Sequence, residues 1–436
     1  MPRADRVLVA PREIAGIAHG LHDGLDAEGL KADLLMRWPH PFGYPIPPAQ
    51  LPVTRWAQRL VVEEPMTHRG SGALRRAVSL ILRVLLVPYI AARYASVVFI
   101  GQDTLLRGGW DRRLLSTLGV TTVTVFCGSE ARPPYLDGHF AGRGLAAEQL
   151  MATREQVSVN LRRVRLAEHD STHVVNHPGT AQFATRAFVD WTVLGIPTSA
   201  VRDSHVPNRT DAVPKVLHAP SDPHMKGTTE LRQALDVLRT EGVDFEYREL
   251  TGVPHSEVLD ALRDADLVVD QLYSDLLFPG LSTEAMAVGT PVLVFGYAGD
   301  LLRGLAGRAN APVGHYACPE RLLDLLRPAI ADAAFRQHLR SEQAAYVRSD
   351  GARSEVARRW AAVIRNKVPE HWLDVPGEHV YAGGCAVEQM RLREFLEAYL
   401  NAFGPDALGL PTDSPHRAAI TRMIGKDGAP AQSAGI

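Results

Sequence analysis

Short segments that are apolar almost throughout recur along this chain, and they constrain its fold more than any other feature. They lie within residues 6–10, 96–100, 121–126, 266–270 and 291–295. A strand with one buried face alternates apolar and polar residues, so a continuous apolar run predicts a strand buried on both faces, as in a parallel sheet covered by helices. Segments with helical periodicity separate the runs, which is typical of βαβ units. The sequence therefore predicts an α/β fold.

The alternation of strands and helices is interrupted by a polar stretch with several turn formers, residues 197–214. We predict the interdomain linker there, between a Rossmann-like domain of residues 1–205 and a second of residues 206–367. An extension, residues 368–436, contains one predicted helix (387–400) and ends in a tail rich in Gly, Ala and Pro. Two doubly wound sheets that face each other create a cleft at the carboxyl ends of their strands, where open α/β sheets bind ligands.

Charge and cysteine content exclude several classes of protein. The 436 residues include 47 Lys+Arg and 49 Asp+Glu, a formal net charge of −2, which is not that of a dedicated nucleic-acid binder. The three cysteines form no Cys-x-x-Cys pair, which argues against a disulfide framework or a zinc site and fits a reducing cytosol. The N-terminus lacks the apolar run of a signal peptide, and Arg83 and Pro88 interrupt the most apolar region. We expect a cytoplasmic protein that does not cross a bilayer.

The first candidate ligand-binding segment follows the strand at residues 215–219. Lys226 and Gly227 stand just before a predicted helix, where backbone N–H groups and a cation together suit a diphosphate. A solvated lysine in a capped turn is the alternative. The chain has five lysines against 42 arginines, which makes a lysine at this place more informative.

The second candidate segment is residues 278–292, in which a Gly-containing loop enters a short helix, Gly289 ends the helix and Pro291 begins a buried strand. We expect Glu284 in the first turn of that helix. One interpretation is that the helix dipole favours a carboxylate there, by about 0.3–1 kcal/mol. The other is that Glu284 accepts hydrogen bonds from the vicinal hydroxyls of a sugar while the preceding amides hold a phosphate.

Four blocks in this half resemble a known family when they are taken in order: residues 226–228, 252–257, 265–271 and 284–292. They resemble the C-terminal domain of GT-B fold glycosyltransferases, particularly the retaining type that uses nucleotide sugars. The resemblance implies two Rossmann-like domains facing across a cleft, a nucleotide diphosphate sugar as donor, and no metal or other cofactor.

The resemblance also implies roles for individual residues. Lys226 binds the phosphates of the donor and Glu284 binds its ribose, while Gly280, Leu281 and Ser282 offer amides to the diphosphate. Lys226 then acts in catalysis, because it neutralises the charge of the leaving group. The family often has a glutamate eight residues before Glu284, and this chain has Leu276 there.

Three residues of the first half are candidates for the opposite side of the cleft. Gly16 ends a loop after the first strand, where a glycine allows the backbone to approach the donor; a glycine merely tolerated by packing is the alternative. Glu130 and Arg132 follow the strand that ends at Phe126 and so point into the cleft. We expect both to bind the acceptor and Glu130 to act in catalysis, with a surface turn closed by a local ion pair as the alternative.

Metal-binding patterns are weak. Asp264 and Asp266 match the Asp-x-Asp of another glycosyltransferase fold, but they flank the amino end of a buried strand, away from the cleft. His173, His177 and His224 have no ligand spacing and are interpreted as structural. We expect no metal site.

A helical wheel places four arginines on one face of a segment and leucines on the other. The arginines are Arg75, Arg76, Arg83 and Arg93, and the leucines are Leu80, Leu82 and Leu86. An ordinary helix with a solvated basic face is one interpretation. Peripheral contact with anionic lipid at the inner membrane face is the other.

Together these observations predict a hexosyltransferase-like enzyme that moves a sugar from a nucleotide diphosphate donor to a cell-surface glycan or natural-product acceptor. The acceptor binds mainly to the first domain. The resemblance implies retention of configuration, with the departing phosphate accepting the acceptor's proton. A sugar-nucleotide epimerase of the same fold and a non-catalytic sugar-nucleotide-binding relative remain alternatives. The Arg- and Ala-rich composition suggests a GC-rich bacterial genome.

Overall fold

The computed structural model describes residues 3–38, 40–61, 72–200 and 213–425. Most of the predicted linker, and with it the predicted boundary between residues 205 and 206, lies outside these ranges. The described residues form two sheets, each flanked by helices on both faces. The predicted fold class, two doubly wound α/β domains, is confirmed.

The first sheet has seven strands within the described residues, in the order β12-β6-β5-β4-β3-β1-β2, and β12 alone is antiparallel. The strands are β1 (Arg6–Ala10), β2 (Lys31–Leu34), β3 (Ser96–Ile100), β4 (Thr121–Val125), β5 (His173–Asn176), β6 (Phe188–Asp190) and β12 (Leu373–Asp374). The helices in this half are α1 (Ile17–Leu25), α2 (Pro52–Val61), α3 (Gly72–Arg93), α4 (Trp110–Thr117), α5 (Gly138–Ala141), α6 (Ala147–Asp170) and α7 (Trp191–Leu194).

Strand β1 shows why its run of residues is apolar throughout. Val7 and Val9 pack into one core cluster with α1, whereas Leu8 and Ala10 pack into another with α2 and α3. Successive side chains of a strand point to opposite faces, so a sheet covered on both sides needs apolar residues at every position.

The second sheet has five parallel strands within the described residues, in the order β11-β10-β9-β7-β8. They are β7 (Lys215–His218), β8 (Glu246–Glu249), β9 (Leu267–Val269), β10 (Val292–Phe295) and β11 (Tyr316–Ala317). The helices around them are α8 (Thr228–Thr240), α9 (His255–Asp264), α10 (Gly280–Val288), α11 (Gly299–Ala306), α12 (Leu322–Ala331) and α13 (Ala333–Arg348).

The chain then returns to the first domain, through α14 (Arg353–Ile364), α15 (Gln389–Phe403) and α16 (Pro415–Ile424). Helix α14 packs against α1, and the indole of Trp360, which is fully buried, donates to the carbonyl of Gly195 at 3.0 Å. Residue 367, the predicted end of the second domain, therefore follows a helix that packs on the first. The extension was predicted with one helix, and its described residues, 368–425, contain two α-helices. The second, α16, buries little more than His416 and Ile420 and so gives a weak apolar signal.

Helices α2, α3 and α4 cover one face of the first sheet. The prediction that Arg83 belongs to a basic face of α3 is wrong. Arg83 is buried, and its guanidinium donates to the carbonyl of Leu105 at 3.2 Å. Leu80, expected on the opposite face, is exposed instead, whereas Arg93 is exposed as predicted. The side chains of Arg75 and Arg76 lie outside the described part of the structure. Among the described helices, none has the length and apolarity that a bilayer span requires.

Candidate active site

A cavity of about 640 Å³ lies between the two domains. The second domain lines it with Lys226, His255, Gly280, Leu281 and Glu284, and the first domain lines it with residues 12–15 and 40–44 among others. Four of the residues predicted for the donor, Lys226, Gly280, Leu281 and Glu284, therefore meet in one cavity. They converge because parallel strands present their carboxyl ends at the same edge of a sheet.

Lys226 belongs to the turn between β7 and α8. Its carbonyl accepts from the amide of Leu272 at 3.1 Å, which fixes the turn beside the end of β9. Gly227 adopts φ 73°, and a Cβ at this position would lie 2.7 Å from Cβ of Leu272, so only glycine fits. The half-buried Lys226 ammonium donates to the side-chain carbonyl of Gln271. A cation is thus held at the start of a helix, inside the cavity.

Glu284 lies in the second turn of α10, not in the first turn as expected, because the helix begins at Gly280. The dipole effect falls off within the first turn, so it does not account for this carboxylate. Glu284 is buried, and its Oε1 lies 2.7 Å from Nε2 of His255, at the first residue of α9.

His255 was not singled out from the sequence, although it stands within the block at residues 252–257. Its ring bonds Glu284, and its amide donates to the carbonyl of Phe42 in the first domain at 3.0 Å. Its ring also stacks on Tyr44, with centroids 4.2 Å apart and planes 27° apart. One histidine therefore joins the carboxylate of the second domain to a loop of the first.

That loop, residues 40–50, is irregular and forms an aromatic wall of the cavity. His40 contacts the ring of Tyr44 edge-on at 4.8 Å, and Tyr44 covers His255. Burial, with a smaller effect of Glu284, raises the pKa of Tyr44, which keeps its hydroxyl protonated as a donor. Aromatic residues placed between prolines are the one signal for this wall in the amino-acid sequence.

Gly16 lies where it was expected, between the loop after β1 and helix α1. It adopts φ 76°, and a Cβ here would lie 3.5 Å from Oε1 of Glu284 and 3.3 Å from the Tyr44 ring. The first domain therefore approaches Glu284 through backbone alone at this point, which a side chain would prevent.

Glu13, in the same loop, carries an unusual carboxyl group. It is 7% exposed and accepts from the amides of Ala18 at 3.3 Å and His19 at 3.0 Å, in the first turn of α1. Burial raises the pKa of Glu13 to about 7, although these amides oppose the shift. The cavity is therefore lined by a carboxyl that changes charge near neutral pH.

Ser282 does not face the cavity, which corrects one of the predicted donor contacts. It is fully buried, and its amide and hydroxyl donate to Oδ2 of Asp270 at 3.2 and 2.6 Å. The amide is thus used within the domain. Helix α10 has no side-chain cap, which leaves its start, at Gly280 and Leu281, towards the cavity.

Glu130 lies in a neighbouring cavity of about 490 Å³, not with Lys226. Its Oε1 accepts from the amide of Cys127 at 2.8 Å, and burial raises the pKa of its carboxyl. Arg12 and Ile14 line both cavities. The lining also includes the polar residues Asp103, Asp137, His139, Arg143, Asn160 and Arg163, together with Phe140 and Ala152.

Arg132 is not available to an acceptor, and it does not form a local pair in a surface turn either. Its guanidinium is buried and donates to Asp275 of the second domain at 2.9 Å from Nε, and to Asp137 at 2.8 Å from Nη1. The pairing is between domains, a contact that neighbouring sequence could not reveal.

A third, mainly apolar cavity of about 130 Å³ is lined in part by Gly280, one of the residues predicted to bind the donor. Leu276, which stands where the family often has a glutamate, lines it with Leu277 and Phe278. Nε2 of His177 and Oγ1 of Thr192 are buried here without a hydrogen-bond partner among the described residues. Burial lowers the pKa of His177 to about 4, so this ring is neutral.

The Asp-x-Asp pair lies at the amino end of β9, as predicted, with Asp264 and Asp266 both bonded to Lys215. Elsewhere in the described residues, Asp374, Glu378 and His379 form the one group with the spacing of metal ligands. It lies on the edge of the first sheet, and the guanidinium of Arg308 contacts Asp374 at 3.0 Å. Neither set of carboxylates lines the cavity that contains Lys226 and Glu284.

No protein-family model matches this sequence. No curated protein matches it either. Among solved structures, the chain is similar to HepE (Alr3699) of Anabaena in complex with UDP and glucose, with 13% identity over 83% of this chain and 99% of that one and a TM-score of 0.49.

Two further solved structures are similar at comparable levels. WaaG, a glycosyltransferase involved in lipopolysaccharide biosynthesis, is 14% identical over 82% of this chain and 99% of its own, with a TM-score of 0.47. A glycosyltransferase from Rickettsia africae is 11% identical over 83% and 98%, with a TM-score of 0.45. Such identities concern the fold alone, and this chain has two parallel-stranded sheets flanked by helices, one in each domain.

Proposed function

We propose that this protein is a glycosyltransferase that moves a sugar from a nucleotide diphosphate donor to an acceptor held by the first domain. The observation that carries the proposal is the meeting of Lys226, the uncapped start of α10 and Glu284 in one cavity between the domains. A cation and helix-terminal amides suit a diphosphate, and a carboxylate suits the two hydroxyls of a ribose. The diphosphate and the ribose of a nucleotide diphosphate thus each have a matching group.

The aromatic wall supports the same ligand. Tyr44 and His255 are stacked beside Glu284, and a planar base can stack on such rings. In this conformation the two rings cover each other, so a base enters by displacing Tyr44 or by stacking on the outer face of the pair. Either route keeps the base close to the ribose-binding carboxylate.

The chemistry depends on the leaving group. As the bond between the sugar and the diphosphate breaks, negative charge grows on the phosphate oxygens, and preorganised donors there stabilise the transition state. Lys226 and the amides of Gly280 and Leu281 supply this stabilisation. With retention of configuration, the departing phosphate accepts the proton of the acceptor hydroxyl, so a side-chain base is not required.

The acceptor is proposed to occupy the smaller polar cavity, which shares Arg12 and Ile14 with the donor cavity. Its lining of charged and amide groups favours an acceptor with several hydrogen-bonding groups, such as a glycan. Glu130, which lines this cavity, is proposed to orient an acceptor hydroxyl. Arg132 has no part in this site because it is bonded to Asp275.

The donor sugar is proposed to lie against the third cavity, beside Leu276. Apolar side chains there replace the carboxylate that relatives often use, so this site offers fewer hydrogen bonds to sugar hydroxyls. Leu276 is also the observation that keeps the alternatives open, a non-catalytic sugar-nucleotide-binding protein and an epimerase of the same fold.

Incubation with a panel of nucleotide sugars and candidate glycan acceptors tests the proposal. A transferase releases free nucleoside diphosphate when an acceptor is present. An epimerase isomerises the sugar, and a binding protein returns the donor unchanged, so either result would contradict transfer.

Metal independence is also part of the proposal, because the lysine and the amides already neutralise the diphosphate. Turnover should survive EDTA. Loss of activity that returns on adding Mn²⁺ or Mg²⁺ would refute this and direct attention to the carboxylates outside the cleft. The three unpaired cysteines support a cytoplasmic location for the enzyme, as in a bacterial cell.

A further inference from the structure

Helices α2, α3 and α4 form one layer on the outside of the first domain. Helix α3 contacts both of its neighbours, and the inward sides of all three cover Leu8, Phe99 and the rest of one core cluster. We call their outward side the α2–α4 face.

The α2–α4 face is apolar to an unusual degree. Of eighteen large apolar side chains exposed in the described residues, eight lie on these three helices and a ninth, Leu118, directly follows the last residue of α4. They are Val53, Trp56, Leu80, Ile81, Val84, Leu85, Trp110, Leu114 and Leu118, and their exposures run from 42% to 68%. Exposed apolar residues scattered singly are normal on protein surfaces, but a contiguous patch marks an interaction site.

The charged side chains exposed on the same helices are all positive. Arg55, Arg59, Arg93 and Arg113 are exposed on them. Asp111 is the one acidic residue in the sequences of the three helices, and it is fully buried, with a carboxylate oxygen 2.7 Å from the amide of Leu105. The face thus combines apolar side chains with arginines and presents no carboxylate of its own helices.

We propose that the α2–α4 face binds the surface of an anionic lipid bilayer. Tryptophan and aliphatic side chains partition into the boundary between headgroups and acyl chains, and arginines contribute by pairing with anionic headgroups. Contact with a second copy of the chain fits less well, because a twofold interface brings the same patch together and would set these arginines against one another.

This proposal differs from the predicted basic stripe on α3. The stripe required Arg83 on the outside, whereas Arg83 is bonded to Leu105 inside and the outward turns of α3 carry Leu80, Ile81, Val84 and Leu85. The arginines proposed to pair with lipid headgroups are spread over three helices, with Arg55 and Arg59 on α2, Arg93 on α3 and Arg113 on α4. Binding to lipid does not depend on whether the proposed transfer reaction is correct.

Co-sedimentation with vesicles tests the proposal on the full chain. We expect binding to phosphatidylcholine vesicles that contain phosphatidylglycerol, and weaker binding to phosphatidylcholine alone. The combined variant Trp56→Gln, Ile81→Gln and Leu85→Gln should lower the partition coefficient at least about tenfold, because three apolar side chains no longer enter the lipid. A second variant, Arg55→Gln with Arg113→Gln, should lose about fivefold per arginine on the anionic vesicles only.

The matched control is Val375→Gln with Met390→Gln, at residues that are 55% and 63% exposed but lie outside α2, α3 and α4. It should bind like the unchanged protein. Thermal unfolding midpoints of all variants should agree, since the altered side chains are exposed. The proposal is overturned if the unchanged protein does not bind anionic vesicles, or if the apolar variant binds as well as the control. It is also overturned if sedimentation shows a dimer that only the apolar variant dissociates.

Discussion

The two walls of the cleft are built in different ways. On the second domain, Lys226 and Glu284 stand at the junctions of strands and helices, where backbone hydrogen bonds and a required glycine fix them. On the first domain, Tyr44 and Glu13 belong to loops. Tyr44 stacks on His255 of the second domain, whereas Glu13 accepts from amides of the helix that follows it. The wall on the second domain is therefore preorganised for charge, whereas the aromatic part of the wall on the first domain depends on contacts across the domain boundary. Ligand binding and domain pairing should respond to different substitutions.

The largest effect is expected when one partner of the buried ion pair between the domains, Arg132 with Asp275, is removed. Asp275→Ala leaves Arg132 buried with Asp137 alone, and breaking a buried pair costs about 3–5 kcal/mol of unfolding free energy. Urea denaturation measures the loss. The control is Asp236→Ala, which removes an exposed pair with Arg239 on α8 and should leave the midpoint unchanged. Equal effects of the two variants would show that the interdomain pair is not what holds the walls together.

The first-domain wall can be tested alone through Glu13. Its folded pKa of about 7 lies above the ordinary value of 4.5, so the folded state holds the proton more tightly than the unfolded chain. The stability this group contributes is complete below about pH 4.5 and is lost as the pH rises through about 7, by up to about 3 kcal/mol. Glu13→Gln removes that loss.

We therefore expect Glu13→Gln to gain stability relative to the unchanged protein between about pH 5 and about pH 8, measured by urea denaturation at both values. Glu257→Gln, at an exposed glutamate near the start of α9, is the control for the substitution itself. A stability difference that does not change with pH would mean that Glu13 is ionised in the folded protein at both values.

The contrast between the walls also explains which site residues the sequence could predict. The sequence could predict that Lys226 and Glu284 lie in one cleft, because their positions follow from the order of strands and helices. Arg132 was misassigned, since its partner Asp275 is distant in the chain and only the folded structure brings them together. Tyr44 was missed for the same reason, because its partner His255 belongs to the other domain.

The fold was predicted better than the site because it depends on many residues at once. Runs such as Ser96–Ile100 are buried at every position, and an error at one residue does not change the assignment. The backbone amide of Ser282 could not be assigned in this way, since its use depends on one hydrogen bond to Asp270.

The first test of the wall on the second domain concerns its cation, the ammonium group of Lys226. Charge-assisted hydrogen bonds contribute about 1.5–3 kcal/mol, so Lys226→Ala should weaken nucleoside diphosphate binding by roughly 10- to 150-fold. Calorimetry with the nucleoside alone should show a smaller loss. Lys215→Ala, at the amino end of β7 and bonded to Asp264, is a matched lysine outside the cleft and should bind normally. Equal losses for nucleoside and diphosphate would remove Lys226 from the phosphate site.

The smallest expected effect concerns Glu284, whose carboxylate is proposed to accept from both ribose hydroxyls. Glutamine preserves the shape and can still accept from His255 through its one carbonyl oxygen, but it presents an amide donor where the second oxygen stood. An unsatisfied, largely buried hydroxyl costs about 1–3 kcal/mol, so Glu284→Gln should weaken ribonucleoside diphosphate binding by about 5- to 150-fold. The 2′,3′-dideoxy analogue lacks both hydroxyls and should lose much less affinity. Because both ligands meet the same altered protein, the ratio of the two losses cancels any general damage to the fold or to the contact with His255. Equal losses for the two ligands, or none for either, would mean that Glu284 serves the interface with His255 and Tyr44 rather than the ribose. The wall on the second domain would then recognise the diphosphate alone.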